Sequence, residues 1–141
     1  MTFITSEHDE LLKAQEEFEA IENKWKKLVS KRDKLITEWN EVYENPILLV
    51  KERIDWVQTQ IKIDNLDITN YQDDIDEMET ELENLIDIKR NNPQAKELRE
   101  QKMEAIKSVE KYLPVYSNAG VKFRKARSKF MKNSLFGREY F

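Results

Sequence analysis

The 141-residue sequence has no cysteine, one histidine, two glycines and three prolines. Without cysteine the chain has no disulfide, no thiolate metal site and no cysteine nucleophile. The scarcity of glycine and proline limits tight turns, which argues against a β-sandwich, a barrel or a Rossmann unit. No apolar run approaches the roughly 18 residues of a membrane span, and the N-terminus lacks the basic start of a signal peptide. We therefore expect a soluble, intracellular (cytoplasmic) protein built from a few long helices.

The first third of the chain repeats apolar residues at alternating steps of three and four. This spacing predicts a coiled-coil seam, and it is held for about five heptads with a single polar member, Arg32. The seam consists of Leu11, Ala14, Phe18, Ile21, Trp25, Leu28, Arg32, Leu35, Trp39 and Val42.

A second seam begins after Asn45-Pro46, one residue out of phase with the first. Asparagine followed by proline is a favourable helix start, so the sequence predicts a turn at this point. The second seam also has a single polar member, Asp64. It consists of Ile47, Val50, Ile54, Val57, Ile61, Asp64, Ile68, Tyr71, Ile75, Met78, Leu82 and Leu85.

These patterns predict an all-α protein built around a long antiparallel coiled-coil helical hairpin. The hairpin occupies residues 1–91 and turns near Asn45-Pro46. A third helix over residues 92–120 begins at a second Asn-Pro pair and is interrupted near Pro114. Residues 121–141 form a basic aromatic segment with a short C-terminal helix. A parallel dimer of kinked helices is the structural alternative.

The turn near residue 45 has two further consequences. Arg32 and Asp64 would face each other across the seam and fix its register. Additional apolar residues recur every seven positions beside both seams, where two helices alone would leave them in water. We expect these residues to form an oligomer interface or to be covered by a third layer; they are Val29, Ile36, Tyr43, Leu49, Trp56 and Ile63.

Charge is sorted along the chain although the net charge is only −4. Residues 1–22 carry −6, residues 64–87 carry −10 without any lysine or arginine, and residues 122–141 carry +6. In the predicted hairpin the two acidic stretches lie side by side and repel each other. We expect the basic C-terminal segment, from the same chain or a neighbour, or a separate basic partner to cover them. Head-to-tail contacts between neighbours would build rings or filaments.

The residue types that most often act in catalysis, metal binding or phosphate binding do not follow the spacing of a known site. His8 has no second histidine with which to hold zinc. The acidic run over residues 73–81 lacks the glycine of a calcium-binding loop and keeps helical phase. Neither Gly120 nor Gly137 belongs to a phosphate-binding loop. We therefore predict no enzyme activity, no cofactor and no metal.

The C-terminal segment alternates basic and aromatic residues at helical spacing. One interpretation is a docking helix, with its aromatic rings on the bundle and its lysines near carboxylates. Two others are single-stranded nucleic acid, bound by phosphate contacts and base stacking, and an acidic membrane surface. The candidate binding residues are Lys122, Phe123, Arg124, Lys125, Arg127, Lys129, Phe130 and Lys132.

Together these features favour a non-enzymatic oligomeric assembly or adaptor protein that binds itself and a protein partner. The composition resembles that of short viral scaffolding and assembly proteins, which are charged and helical with a basic terminal segment. One alternative is a nucleic-acid-binding protein that uses the C-terminal segment. The other is an inhibitor whose acidic helix mimics nucleic-acid phosphates, with Asp73, Asp76, Glu77 and Glu83 as the residues to test.

Overall fold

The computed structural model describes the backbone of residues 2–139 and the side chains of residues 8–132. Over this range the chain is helical and contains no strand. The all-α prediction is confirmed for these residues. In chain order the elements are α1 (Thr2–Trp39), a π-helical segment (Asn40–Glu44), α2 (Asn45–Ile63), a short 3₁₀ turn (Ile68–Asn70), α3 (Gln72–Asn91) and α4 (Pro93–Glu139).

The helices are organised into two compact units. One unit, hereafter the hairpin unit, comprises residues 33–104. The other, hereafter the terminal unit, comprises residues 1–32 together with residues 105–141. The hairpin unit is one continuous stretch, whereas the terminal unit combines two segments that are distant in sequence.

The chain does not turn at Asn45-Pro46, so the prediction of a hairpin there is wrong. Asn45 has helical φ and ψ angles of −62° and −41°, and its N–H donates to the carbonyl of Asn40, five residues earlier. Pro46 has no N–H for an ordinary helical bond, and its ring would clash with the carbonyl four residues before it. The wider π turn relieves that clash, and α2 follows directly.

The chain reverses between α2 and α3 instead. Asn65 adopts a left-handed φ of 50°, and the N–H of Leu66 donates to the carbonyl of Ile61 at 2.9 Å, a hydrogen bond that closes helix ends of this kind. The carboxylate of Asp67 then accepts from the backbone N–H of Thr69 at 3.0 Å and from its hydroxyl at 2.7 Å. The single helix predicted along the second seam is therefore two helices that form a hairpin.

The core of the hairpin unit lies on the seam face of α2. Its members follow the three-and-four spacing that places residues on one side of a helix. Ile75 of α3, 2% exposed, belongs to the same core. The buried residues of α2 are Ile47, Val50, Ile54 and Ile61, with exposed fractions between 2% and 8%.

α4 begins at the second Asn-Pro pair but does not stop near Pro114. The side chain of Asn92 accepts from the N–H groups of Gln94 at 2.8 Å and Ala95 at 3.3 Å, which caps the helix. The helix then runs through Pro114 and Gly120. The predicted interruption and the separate C-terminal helix are therefore wrong. Pro114 is exposed, so water can bond the carbonyl that it leaves without a helical donor.

An aromatic stack joins α1 to α4 in the terminal unit. Tyr116 stacks on Trp25 with ring centroids 4.9 Å apart and contacts Phe18 at 6.0 Å. Ala105 and Val109 are buried on the same helix. In these contacts, and in those described below, a higher residue number on α1 pairs with a lower residue number on α4. The first seam therefore faces α4 in this unit, not α2 as predicted.

Candidate interaction surfaces

α2 carries a row of exposed apolar residues at seven-residue spacing. Leu49 is 54% exposed, Trp56 65% and Ile63 69%. At about 100° per residue, the row lies about 140° around the helix from the buried face of α2. Three exposed apolar residues aligned in one row on a helix are a candidate binding surface. These three residues are hereafter the α2 stripe.

The other half of the predicted oligomer interface is partly covered within the chain. Val29, Ile36 and Tyr43 are half-buried, and the Tyr43 ring lies 4.8 Å from that of Trp39. Val29 belongs to the terminal unit, whereas the other members belong to the hairpin unit. Because three of the six predicted residues are half-buried, the six do not form one exposed surface. The exposed part of the predicted interface is the α2 stripe.

The aromatic rings of the C-terminal segment pack against α1. Phe123 stacks on Phe18 with centroids 5.2 Å apart and ring planes 3° from parallel. The Phe130 ring lies 5.7 Å from that of His8. Both phenylalanines are half-buried. This is the arrangement that the docking interpretation predicts, and stacking on nucleic-acid bases would require these rings to leave their contacts.

Lysines of the C-terminal segment contact the acidic N-terminal arm. Lys122 Nζ lies 3.4 Å from Glu17 Oε2, and Lys129 Nζ lies 3.7 Å from Glu10 Oε2. These two exposed pairs place the basic segment beside the acidic start of the chain. The second acidic stretch that it was expected to cover, residues 64–87, belongs to the hairpin unit. Within the segment, the side chains after residue 132 lie outside the described residues. The remaining predicted basic residues, Arg124, Lys125, Arg127 and Lys132, are exposed.

Small side chains leave an open groove between α1 and α4 within the terminal unit. A cavity of about 360 Å³ is lined by apolar residues that include Val115 and Ala119. A second cavity of about 270 Å³ shares Ala14, Glu17 and Lys122 with the first. The two cavities are hereafter the terminal groove. Sequence reasoning missed this feature, although Ala14 lies on the first seam and Ala119 and Ala126 are seven residues apart on α4, where larger residues would fill the space.

The predicted register pair of Arg32 and Asp64 loses its basis, because the chain reverses after α2 and not at Asn45-Pro46. Asp64 caps the C-terminal end of α2 and is exposed, at the start of the chain reversal. Arg32 belongs to the terminal unit, whereas Asp64 belongs to the hairpin unit. The pairing depended on a turn at Asn45-Pro46, and no turn exists there.

The hairpin unit contains a polar cluster around a buried tryptophan. Trp39 is 4% exposed, and its Nε1–H donates to Glu44 Oε1 at 3.0 Å. Lys89 Nζ lies 2.7 Å from the same oxygen, while Lys102 and Arg99 lie over the indole ring at 4.6 Å and 5.4 Å. The hydrogen bond from Lys89 is the main reason that the pKa of Glu44 is lowered, and burial opposes it. Sequence reasoning placed Trp39 on the seam but missed its polar partners.

The two units have opposite net charge. The hairpin unit contains nineteen acidic and nine basic residues, a net charge of −10. The terminal unit contains fifteen basic and nine acidic residues, a net charge of +6. The four acidic residues singled out for a nucleic-acid mimic, Asp73, Asp76, Glu77 and Glu83, are exposed on α3.

Comparison with known proteins returns no relative. No family model matches the chain, and neither does any curated protein or solved structure. Within the part of the chain that the structure describes, no helix is long and apolar enough to cross a membrane. No group of three or more His, Asp or Glu side chains in that part could hold a metal ion.

Proposed function

We propose that this chain is a non-enzymatic assembly protein that associates with copies of itself through the α2 stripe. The observation that carries the proposal is the exposure of Leu49, Trp56 and Ile63, all above one half, on the side of α2 that faces away from the hairpin core. Burying this row against another chain removes apolar surface from water without disturbing the core of the hairpin unit. In this proposal the helical hairpin is an antiparallel coiled coil that presents the stripe on a rigid support.

The seven-residue spacing supports a helical partner surface. Residues seven apart on a helix lie about 10.5 Å from each other along its axis. Side chains at that repeat insert between the side chains of a facing helix, as in coiled-coil packing. Trp56 at the centre of the row is one of the residue types enriched at the energetic centre of protein interfaces.

The test is a pair of matched double variants of the full chain. The stripe variant, Leu49→Ser with Ile63→Ser, removes two members of the stripe. The control variant, Leu48→Ser with Ile88→Ser, changes the same residue types at exposed positions outside it, 52% and 44% exposed. Loss of about 1 kcal/mol for each half-exposed aliphatic side chain predicts a dissociation constant about 30-fold weaker for the stripe variant.

Sedimentation equilibrium measures both dissociation constants against wild type. We expect the control variant to associate within about threefold of wild type, since scattered surface substitutions change little. Circular dichroism of all three proteins shows whether the helices are retained. Equal weakening in both double variants, with helix content unchanged, would contradict the role given to the stripe.

Nucleic-acid binding is the second candidate because Arg124, Lys125, Arg127 and Lys132, four of the basic residues predicted to bind, are exposed on α4. It is tested by fluorescence anisotropy with single-stranded DNA at two salt concentrations. Binding through phosphates weakens steeply as salt rises, and Lys125→Gln with Arg127→Gln would reduce that salt dependence. Absence of binding at low salt would eliminate this candidate.

A further inference from the structure

Six lysines form a single row along one side of α4 in the terminal unit. Because α4 continues through Pro114, the row runs from Lys107 to Lys132, a length of about 38 Å at 1.5 Å per residue. At about 100° per residue its members lie within an arc of about 80° around the helix, and all of them are exposed. Hereafter called the lysine row, it consists of Lys107, Lys111, Lys122, Lys125, Lys129 and Lys132.

The lysine row lies in a stretch of α4 that contains almost no acidic residue. Residues 107–132 include eight lysines and arginines and a single acidic residue, Glu110. At about 100° per residue, Glu110 lies about 80° around the helix from the centre of the row. α1 adds positive charge beside it, since Lys24 Nζ lies 5.1 Å from the centre of the Tyr112 ring on α4. A negatively charged ligand is therefore attracted to this side of α4.

Carboxylates of α1 neutralise only part of the lysine row. Lys122 and Lys129 pair with Glu17 and Glu10 at 3.4 Å and 3.7 Å, but their side chains remain 75% and 64% exposed. Exposed ion pairs of this kind contribute little stability, so a phosphate can replace the carboxylate. The other four lysines form no ion pair with a side chain among residues 8–132, the range over which side chains are described.

The composition of the lysine row favours phosphates over a protein or a membrane as its ligand. Protein interfaces are depleted in lysine and enriched in aromatic residues, methionine and arginine. A helix that lies in a membrane surface inserts large apolar side chains, and the positions within the row that are not lysine are Pro114 and Asn118. Lysine binds phosphate as a point charge. The length of the row also matches one turn of duplex DNA, about 34–36 Å.

We infer that the lysine row binds the phosphate backbone of double-stranded DNA without reading its bases. This inference rests on nucleic-acid binding, the second candidate function, and specifies its site and its ligand. Phe123 stacks on Phe18 with ring centroids 5.2 Å apart, so a single strand finds no free ring on which to stack its bases. A duplex carries one charge per roughly 1.7 Å of its axis, about twice the density of one of its strands, and therefore binds a row of lysines more tightly.

A matched pair of double variants of the full chain tests the site. The row variant, Lys107→Gln with Lys111→Gln, removes the two lysines that lie before Pro114, outside the C-terminal segment. The control variant, Lys51→Gln with Lys62→Gln, makes the same change of charge at two exposed lysines of α2. Circular dichroism shows whether the helices are retained in both.

Fluorescence anisotropy with a labelled duplex of about 20 base pairs measures the affinity over a range of salt concentrations. Each phosphate contact contributes about 0.9 to the slope of log K against log salt, so four to six contacts predict a wild-type slope between about −3.6 and −5.4. We expect the row variant to lose about 1.8 of that slope and to bind at least tenfold more weakly in roughly 0.1 M salt. The control variant should stay within about threefold of wild type.

Two further probes distinguish the duplex from other ligands. A single strand of the same length should bind more weakly than the duplex, and polyglutamate at the same concentration of charge should not displace the duplex. Displacement by polyglutamate would indicate an acidic protein as the ligand and would overturn the inference.

The outcomes separate this inference from the functions proposed above. Equal weakening by the row and control variants, or tighter binding of the single strand, would overturn the inference and leave nucleic-acid binding standing. If neither the duplex nor the single strand binds at low salt, the second candidate function fails together with the inference. Self-association through the α2 stripe is measured without DNA, so neither result changes its test.

Discussion

Replacement of the buried Trp39 by alanine should destabilise the chain far more than the same replacement of the exposed Trp56. Trp39 is 4% exposed, whereas Trp56 is 65% exposed. Truncating a buried tryptophan to alanine typically costs about 3–5 kcal/mol. The indole of Trp39 also donates a hydrogen bond to Glu44 and lies under Lys102. Alanine removes these contacts together with the buried ring, so the loss should fall within the whole of that range. For Trp39→Ala we expect the free energy of unfolding to fall by about 4 kcal/mol, against less than about 1 kcal/mol for Trp56→Ala.

Urea denaturation followed by circular dichroism at 222 nm measures both losses. The samples should be dilute, so that association through the α2 stripe does not add to the apparent stability of wild type. The slope of the unfolding free energy against urea should stay constant if both variants unfold from the same folded state. A difference between the two variants of less than about 1 kcal/mol would refute the placement of Trp39 in the core and Trp56 on the surface.

Three other substitutions test individual features of the fold. Gly120→Ala should raise the free energy of unfolding by about 0.5–1 kcal/mol, because the position is inside a helix and the added methyl meets Phe18 at 3.6 Å, an ordinary contact. A loss of stability in the same urea assay would contradict a continuous α4. Asn65→Val should cost about 1–2 kcal/mol, because Asn65 has a left-handed φ of 50°. An unchanged urea midpoint would place the chain reversal elsewhere. Glu44→Gln should remove stability at neutral pH, where the carboxylate with its lowered pKa is ionised beside Lys89. That contribution is present above the ordinary pKa of 4.5 and is lost as pH falls through the lower folded pKa, so thermal melts of the variant and wild type should converge in acid and a gap independent of pH would contradict the pairing.

The phase shift at Asn45-Pro46 shows how a sequence pattern can be read in two ways. The seam resumes at Ile47 instead of residue 46, a displacement of one residue. The Asn-Pro pair suggested a turn, but a single inserted residue is also what a π turn introduces into a helix. The structure contains the π turn at Asn40–Glu44. The inserted residue was visible in the sequence, and the competing helix-start signal led to the wrong prediction.

The sequence at the observed chain reversal contains few residues that indicate a turn. Asp64 falls in seam phase, and neither glycine nor proline occurs between residues 64 and 71. Asn65 takes the left-handed position that glycine usually fills at helix ends. A single asparagine in a charged helix is too common to predict this conformation by itself. The register pair and the partner of each seam were wrong for the same reason, since both depended on the position of the turn.

Helix α4 continues where local propensity predicts an interruption. Pro114 lies between Tyr112, which contacts Lys24, and Tyr116, which stacks on Trp25. These contacts with α1 hold the helix on both sides of the proline, so tertiary packing overrides the local preference. One of the three interpretations left open for the C-terminal segment, the docking helix, agrees with the contacts of Phe123 and Phe130 with α1, because the positions of these rings follow from helical periodicity alone.

The mass of the full chain as a function of concentration tests the proposed function most directly. Multi-angle light scattering of wild type and of Leu49→Ser with Ile63→Ser, from about 1 μM to about 1 mM, covers the affinities of a weak to moderate interface. We predict that the wild-type mass rises with concentration above the 17.0 kDa of one chain, and that the stripe variant needs a concentration about 30-fold higher for the same rise. A wild-type mass of 17.0 kDa at every concentration would contradict assembly through the α2 stripe.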